Sequence, residues 1–292
     1  MYQSPSYDKP MYEFVLWPNC NNNCAFCWQK KIAKFTSTTE QKKEAIYLAK
    51  GYMLDKACEP GFDIMLVGGE IFDNTDIEED FIDLAKFLRT LLLNDTIRYI
   101  YLNTNLIYED NTFLKHFLDV FEHSLLKRFK LTTSYDVAGR FNEDKRSYFF
   151  RNLAEITSEY DVHFMANAIL TKAVCNDLEN AKDDKEALKE LNASVYYLPY
   201  ITLTETLRAE DDEVFTALET LYSKQELIAQ IRSFDLQQKK FVLQYNPIDK
   251  FEDCTEELME CGHNKNFTRV LKSGECYICK MKQHFKSLLE DI

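Results

Sequence analysis

Through the first two-thirds of the chain, short apolar, β-rich runs alternate with longer stretches of helical spacing. The runs Tyr12–Trp17, Phe62–Val67, Arg98–Leu102, Phe129–Thr133, His163–Leu170 and Ser194–Leu198 predict strands, being rich in aromatic and β-branched residues. Between them, Thr39–Lys56, Glu78–Leu93, Asn111–His123, Asp144–Glu159 and Asn176–Leu191 predict helices, and Asp212–Ile231 predicts another after the last strand. In the second helix Phe81, Leu84, Phe87, Leu88 and Leu91 fall on one face. Six successive β–α units imply an α/β protein with a parallel sheet, either open or curled into a partial barrel. From about Ser233 the alternation stops, which divides the chain into residues 1–232 and a cysteine-bearing closing region, 233–292.

A parallel sheet gathers its reactive groups at the C-terminal ends of its strands. The polar and glycine-rich punctuation falls there: Asn19–Cys27 after the first strand, Gly68–Glu70 after the second, Asn103–Asn105 after the third, Ser134–Asp136 after the fourth. No apolar run approaches the ~20 residues needed to span a bilayer, and the N-terminus lacks a signal-peptide pattern. A cytoplasmic protein is expected. The net charge of −13 argues against a nucleic-acid polymer as partner, although Lys280 and Lys282 offer a small basic strip. The acidic stretches Asp76–Asp80 and Glu210–Glu213 read as solvated helix ends.

Seven of the 9 cysteines fall into two groups, Cys20, Cys24, Cys27 and Cys254, Cys261, Cys276, Cys279. In a reducing compartment such clusters point to metal binding or catalysis rather than disulfides. Cys58 and Cys175 stand apart and read as small hydrophobes. Three cysteines within Cys20–Cys27 suit three irons of a cubane cluster, leaving the fourth iron open to a ligand. A structural zinc is the plainer alternative, but zinc normally takes a fourth protein ligand, and none lies nearby in sequence.

The segment Cys20-Asn-Asn-Asn-Cys24-Ala-Phe26-Cys27 resembles the signature CxxxCxΦC of the radical S-adenosylmethionine (SAM) superfamily, with Phe26 at the aromatic position and Trp28 following. Gly68-Gly69-Glu70, behind an apolar strand, resembles that family's GGE motif, which offers backbone groups to the amino end of SAM, with Glu70 able to pair with the ammonium. Asn103-Thr104-Asn105 resembles a TNG-like turn, with Leu106 where glycine is usual. Ser134-Tyr135-Asp136 resembles a segment that reaches the SAM ribose or carboxylate. Arg146 falls where relatives place a carboxylate-binding arginine, with Arg140 and Arg151 as competitors, and the segment around Leu170 resembles one that packs along adenosine. The resemblance implies a partial (β/α)6 TIM-like barrel, a [4Fe–4S] cluster with an open iron, and reductive cleavage of SAM to a 5′-deoxyadenosyl radical that takes hydrogen from a substrate. It also implies a flavodoxin or ferredoxin as electron donor.

The closing region resembles the opening half of a SPASM motif, with Ser273-Gly274 as the turn of a hairpin. Its shortness favours the "twitch" variant, in which Cys254, Cys261, Cys276 and Cys279 carry one auxiliary iron–sulfur cluster. A structural zinc at the same cysteines is the alternative, and His263 is a further candidate ligand. His116, His123, His163 and His284 show no catalytic spacing. Relatives of this kind modify peptides, side chains or small metabolites. Modification of a peptide or ribosomally made precursor is the favoured expectation, although only about ten residues precede the first strand, leaving no leader-recognition domain. A small metabolite or nucleotide is the rival substrate. A non-catalytic metal-binding interaction protein on the same scaffold is the reading from another class.

Overall fold

A computed structural model describes residues 11–22, 24, 27, 37–57, 61–135, 141, 143–198, 207–238, 242–245 and 277–290. Among these, seven strands form one parallel sheet in the order β6-β5-β4-β3-β2-β1-β7. The strands are β1 (Met11–Val15), β2 (Phe62–Val67), β3 (Ile97–Asn103), β4 (Phe129–Tyr135), β5 (Phe164–Ile169), β6 (Ala193–Leu198) and β7 (Val242–Tyr245). Consecutive strands from β1 to β6 are neighbours, which is what repeated β–α units produce, and the sheet is the α/β partial barrel expected.

The helices are α1 (Thr39–Lys56), α2 (Glu78–Leu93), α3 (Thr112–Asp119), α4 (His123–Leu126), α5 (Glu143–Tyr160), α6 (Lys172–Asn176), α7 (Leu178–Glu190), α8 (Asp211–Leu221), α9 (Lys224–Gln238), α10 (Tyr277–His284) and α11 (Lys286–Glu290). Burial alternates along the strands. Tyr12 and Phe14, Phe62, Ile64 and Leu66, and Phe164, Ala166 and Ala168 are buried on one face. The opposite face carries half-exposed side chains such as Glu13, Met65, Tyr101, Lys130 and Asn167. Both acidic stretches sit at helix starts: Glu78, Glu79 and Asp80 in α2, and Asp211, Asp212 and Glu213 in α8. There they complement the positive end of the helix dipole.

Four expectations are corrected. The helix expected over Asp212–Ile231 is two helices, because Tyr222 leaves the helix in an extended conformation. Its hydroxyl donates to the Val195 carbonyl (2.9 Å) and accepts from the Tyr197 N–H (2.8 Å), and Ser223 starts α9 by capping Glu226. The helices expected over Asn111–His123 and Asn176–Leu191 are likewise interrupted, at Val120–Glu122 and Asp177, where Asp177 caps α7. The alternation does not end at Ser233 either. β7 pairs in parallel with the free edge of β1, from Met11↔Val242 to Phe14↔Tyr245. The division after residue 232 falls within α9. Beyond it α10 and α11 fold back on the barrel: His284 stacks on Phe215 of α8 at 4.5 Å, and Met281 and Phe285 are buried.

Candidate functional site

The cysteine loop leaves β1 and is held by main-chain contacts to the end of β2. Parallel pairing continues past both strands: Leu16 N–H donates to Val67 O (2.9 Å), Gly69 N–H to Trp17 O (2.8 Å) and Glu70 N–H to Asn19 O (2.7 Å). The chains lie so close that a Cβ on Gly69 would stand 1.9 Å from the Asn19 carbonyl oxygen, and one on Gly68 2.8 Å from that of Trp17. The two glycines therefore let the cysteine loop approach this closely. The Asn19 side chain clamps Ser37 through both its amide groups (2.9 and 3.3 Å), and Thr38 then opens α1 with a capping box to Gln41. Both segments also root in one aromatic cluster, where Phe72 packs edge-on against Phe81, Phe113 and Phe117, and Trp17 against Phe81.

Glu70 ties this assembly to β3. Its side chain is fully buried, and its carboxylate accepts from Phe72 N–H (3.2 Å), Thr104 Oγ1 (2.8 Å) and Asn105 N–H (2.5 Å). Burial pushes the carboxyl up to about 7, against the pull of these donors. The carboxylate expected to meet an ammonium is thus turned inward, joining two turns. Leu106 occupies the position expected for glycine and adopts the left-handed conformation glycine favours, with φ 58°. It is fully buried, and the packing of that side chain offsets the backbone strain.

Hydrogen-bond donors surround the sulfurs. Asn105 Nδ2 lies 3.6 Å from Cys20 Sγ and donates to Asn21 Oδ1 at 2.8 Å, while Asn21 Nδ2 donates to Ile107 O. Asn22 directs its N–H at Cys20 Sγ (3.4 Å) and its amide at Cys24 Sγ (3.2 Å). Cys24 is buried with Ile169 at the end of β5, with Cys27 and Leu207 against them, so the loop bridges the mouth of the barrel from β1 to β5. Cys20 reaches the surface, yet burial of its sulfur, with Glu70, Cys24 and Asp73 nearby, pushes its thiol up to about 11. Metal binding at this thiol must displace a proton.

Among the described residues no three His, Cys, Asp or Glu side chains converge on a single point. The thiols line one loop without enclosing a centre. Soft thiolate donors, amide N–H groups aimed at two of the sulfurs and a buried, partly apolar setting fit an iron–sulfur cluster. Cys20, Cys24 and Cys27 would hold it, leaving one iron without a protein ligand.

The other expected residues distribute as follows. Ser134, next to last in β4, is in register with Asn167 of β5, which is in register with Tyr196 of β6, forming one row on the half-exposed face. Leu170 is buried just beyond β5, its N–H donating to Leu198 O. Arg146 is not brought to the loop. Its guanidinium pairs with Asp184 of α7 at 2.6 Å and covers the Phe150 ring. Arg151 instead binds the carbonyls of Tyr108 and Glu109. Among the described residues, Lys145 is a cation that does reach the loop, its Nζ donating to Asn22 Oδ1 at 2.7 Å. Adjacent helical residues point about 100° apart, so the sequence alone could not choose between them.

The histidines among the described residues have structural partners: His116 pairs with Glu78, His123 with Asp161 and His284 with Glu219, and His163 hydrogen-bonds Asn192 and Ser194. Cys175 packs partly buried against the core. Phe26, Cys58, Asp136, Arg140, Cys254, Cys261, His263, Ser273, Gly274 and Cys276 lie outside the described residues. Cys279 lies in α10. No described helix is long and apolar enough to cross a membrane.

No protein-family model matches the chain, and no curated protein does. Solved structures do. Native anSMEcpe with bound AdoMet and the Kp18Cys peptide matches with a TM-score of 0.51 at 15% identity, over 80% of this chain and 63% of that one. Native anSMEcpe with bound AdoMet gives 0.50 at 15% identity, over 80% and 64%. A radical SAM methyltransferase from Sphaerobacter thermophilus gives 0.45 at 14% identity, over 80% and 65%. The chain spans less than two-thirds of the length of each of these neighbours. At such identities the likeness is one of fold, and it agrees with the parallel sheet and the loop that follows β1. The fold of this chain is that of the AdoMet-bound anSMEcpe structures.

Proposed function

We propose that this protein is a radical SAM enzyme. The observation that carries the reading is the CxxxCxxC loop, pinned by Gly68–Glu70 to the C-terminal end of the sheet in a fold shared with AdoMet-bound structures. Cys20, Cys24 and Cys27 would hold the cluster, and with SAM bound it would supply one-electron, radical chemistry at a substrate C–H bond. The chain's own part is to bind, orient and exclude water. The Gly68–Gly69 backbone fixes the loop, and Asn105 and Asn22 donate to its sulfurs. The row Ser134, Asn167 and Tyr196 offers hydroxyl and amide groups beside it.

A flavodoxin or ferredoxin provides the electron in this reading. The favoured substrate is a peptide, supported by the peptide that anSMEcpe of the same fold holds beside AdoMet. Cys254, Cys261, Cys276 and Cys279 are the proposed ligands of an auxiliary cluster, with zinc as the alternative metal.

Substituting Cys24 with alanine is expected to abolish 5′-deoxyadenosine formation while the helical circular-dichroism signal persists. Cleavage retained by that variant would sink the assignment. Lys145, rather than Arg146, is proposed to meet the SAM carboxylate. Lys145→Met should weaken SAM binding roughly tenfold, a loss of about 1.4 kcal/mol, and Arg146→Met far less. Equilibrium binding of SAM to the reconstituted variants separates the two, and the reverse order would return the role to Arg146.

A further inference from the structure

We propose that Asn167 and Tyr196 form a substrate subsite that holds a neutral peptide amide beneath the cysteine loop. This rests on the radical SAM reading and names the chemical group that the substrate presents to it. Residues two apart in a strand share a face, so Asn167 and Ile169 of β5 point the same way. Ile169 is buried with Cys24, which sets the cysteine loop over this face. Asn167 stands about 7 Å below that contact, at ~3.3 Å per residue along the strand. Tyr196 of β6 is its register partner, about 5 Å away across the sheet.

These two residues differ from their polar neighbours on the same face in what they leave unused. One row further from the loop, Thr132 donates its hydroxyl to Asn103 Oδ1 (3.3 Å), and Ser194 Oγ is bound to His163 Nε2 (2.9 Å). The side chains of Asn167 and Tyr196 make no hydrogen bond among the described residues. Both are partly buried, and polar groups withdrawn from water normally find a partner. Burial also pushes the Tyr196 phenol up, so it remains a hydroxyl donor at neutral pH.

An asparagine carboxamide presents an acceptor oxygen and a donor nitrogen in one plane. In an extended backbone the N–H and C=O of one residue point to the same side, a pair that matches the carboxamide facing it. The Tyr196 hydroxyl then serves a further polar group of the same chain. The two rows nearest the loop, Asn103, Thr132, Met165 and Ser194 with Ser134, Asn167 and Tyr196, carry no acidic or basic side chain. A phosphate would meet no opposite charge in these rows to offset its loss of water, whereas an uncharged amide exchanges its water for equivalent hydrogen bonds. The subsite therefore favours a peptide backbone over a nucleotide.

The test uses the full chain, reconstituted anaerobically with SAM and titrated by NMR with N-acetyl-triglycine N-methylamide, a probe that has backbone amides and no side chains. Asn167→Leu keeps the size of the side chain and should weaken probe binding about tenfold, and Tyr196→Phe about threefold. Iron content and SAM affinity should stay at their wild-type values in both. An ester in place of the central amide removes one N–H from the probe and should weaken binding to the wild type but not to Asn167→Leu. No hydrogen bond within the protein is lost in Asn167→Leu, so its thermal midpoint should not fall. A lowered midpoint with unchanged probe binding would mark a structural residue and overturn the inference. Should Asn167→Leu fail to fold, Tyr196→Phe and the ester probe decide. Loss of SAM affinity in place of probe affinity would give the pair to the cofactor and also overturn it, as would a wild type that binds adenosine monophosphate and not the probe, or neither. Probe binding by a chain that takes up no iron and binds no SAM would keep the amide subsite and overturn the radical SAM reading instead.

Discussion

Gly69→Ala is expected to lose most of its bound iron and to unfold at distinctly lower denaturant than the wild type. The new Cβ would stand 1.9 Å from the Asn19 carbonyl oxygen and 2.5 Å from that of Pro18. Both are main-chain atoms, so no side-chain rotation relieves the clash and the loop itself must move. That movement breaks the Gly69–Trp17 and Glu70–Asn19 hydrogen bonds, which set the chain leading into Cys20. Overpacking of this kind costs about 3 kcal/mol or more when the backbone has to yield. Gly51→Ala is the control. No atom lies within 4 Å of its Cβ, and a helix interior gains up to ~1 kcal/mol from the exchange. Urea midpoints and iron per chain measure both, and a Gly69→Ala protein with wild-type iron would show that the close approach does not matter.

Glu70→Ala should destabilise the chain by about 3–5 kcal/mol, because three buried donors lose their acceptor together. Asn105 would then be freed from its anchor, and with it the amide that faces Cys20. Glu70→Gln recovers part of the loss, since one oxygen can still serve Phe72 and Thr104, while its amide nitrogen meets the Asn105 N–H as donor against donor. The charge also leaves a signature in pH. Burial raises the folded carboxyl from 4.5 to about 7, so the folded state binds a proton that the unfolded state releases. Stability is therefore greatest below about pH 4.5 as far as Glu70 is concerned and falls as pH rises through 7, by at most about 3 kcal/mol. In Glu70→Gln that part of the slope should vanish. Unfolding of the metal-free protein across this range reads it directly.

Much of this was legible because the sheet is parallel and one of its faces is buried in the helices. Runs such as Phe62–Val67 and Phe164–Ile169 carry the apolar alternation that makes a strand, and the residues that punctuate them had to fall at one end of the sheet. The cysteine spacing and its place after β1 were visible for the same reason. Contacts between segments far apart in sequence were not. Val242–Tyr245 is a short β-rich run whose partner is β1, and only the pairing shows that the sheet continues there. Tyr222 breaks a helix because its hydroxyl meets β6, which local spacing does not encode. The close approach of the loop after β1 to Gly68 and Gly69 is likewise a contact that local spacing does not encode. Nor does local spacing encode that the Glu70 carboxylate spans two turns.

The central claim, that Cys20, Cys24 and Cys27 carry a cluster that cleaves SAM, is tested most directly by anaerobic reconstitution. Iron, sulfide and zinc would be counted, then dithionite and SAM added and 5′-deoxyadenosine measured. The account predicts about eight irons per chain with 5′-deoxyadenosine formed, or about four irons and one zinc should the C-terminal cysteines hold zinc. Zinc alone with no cleavage of SAM would contradict it and leave a metal-stabilised binding protein on the same scaffold.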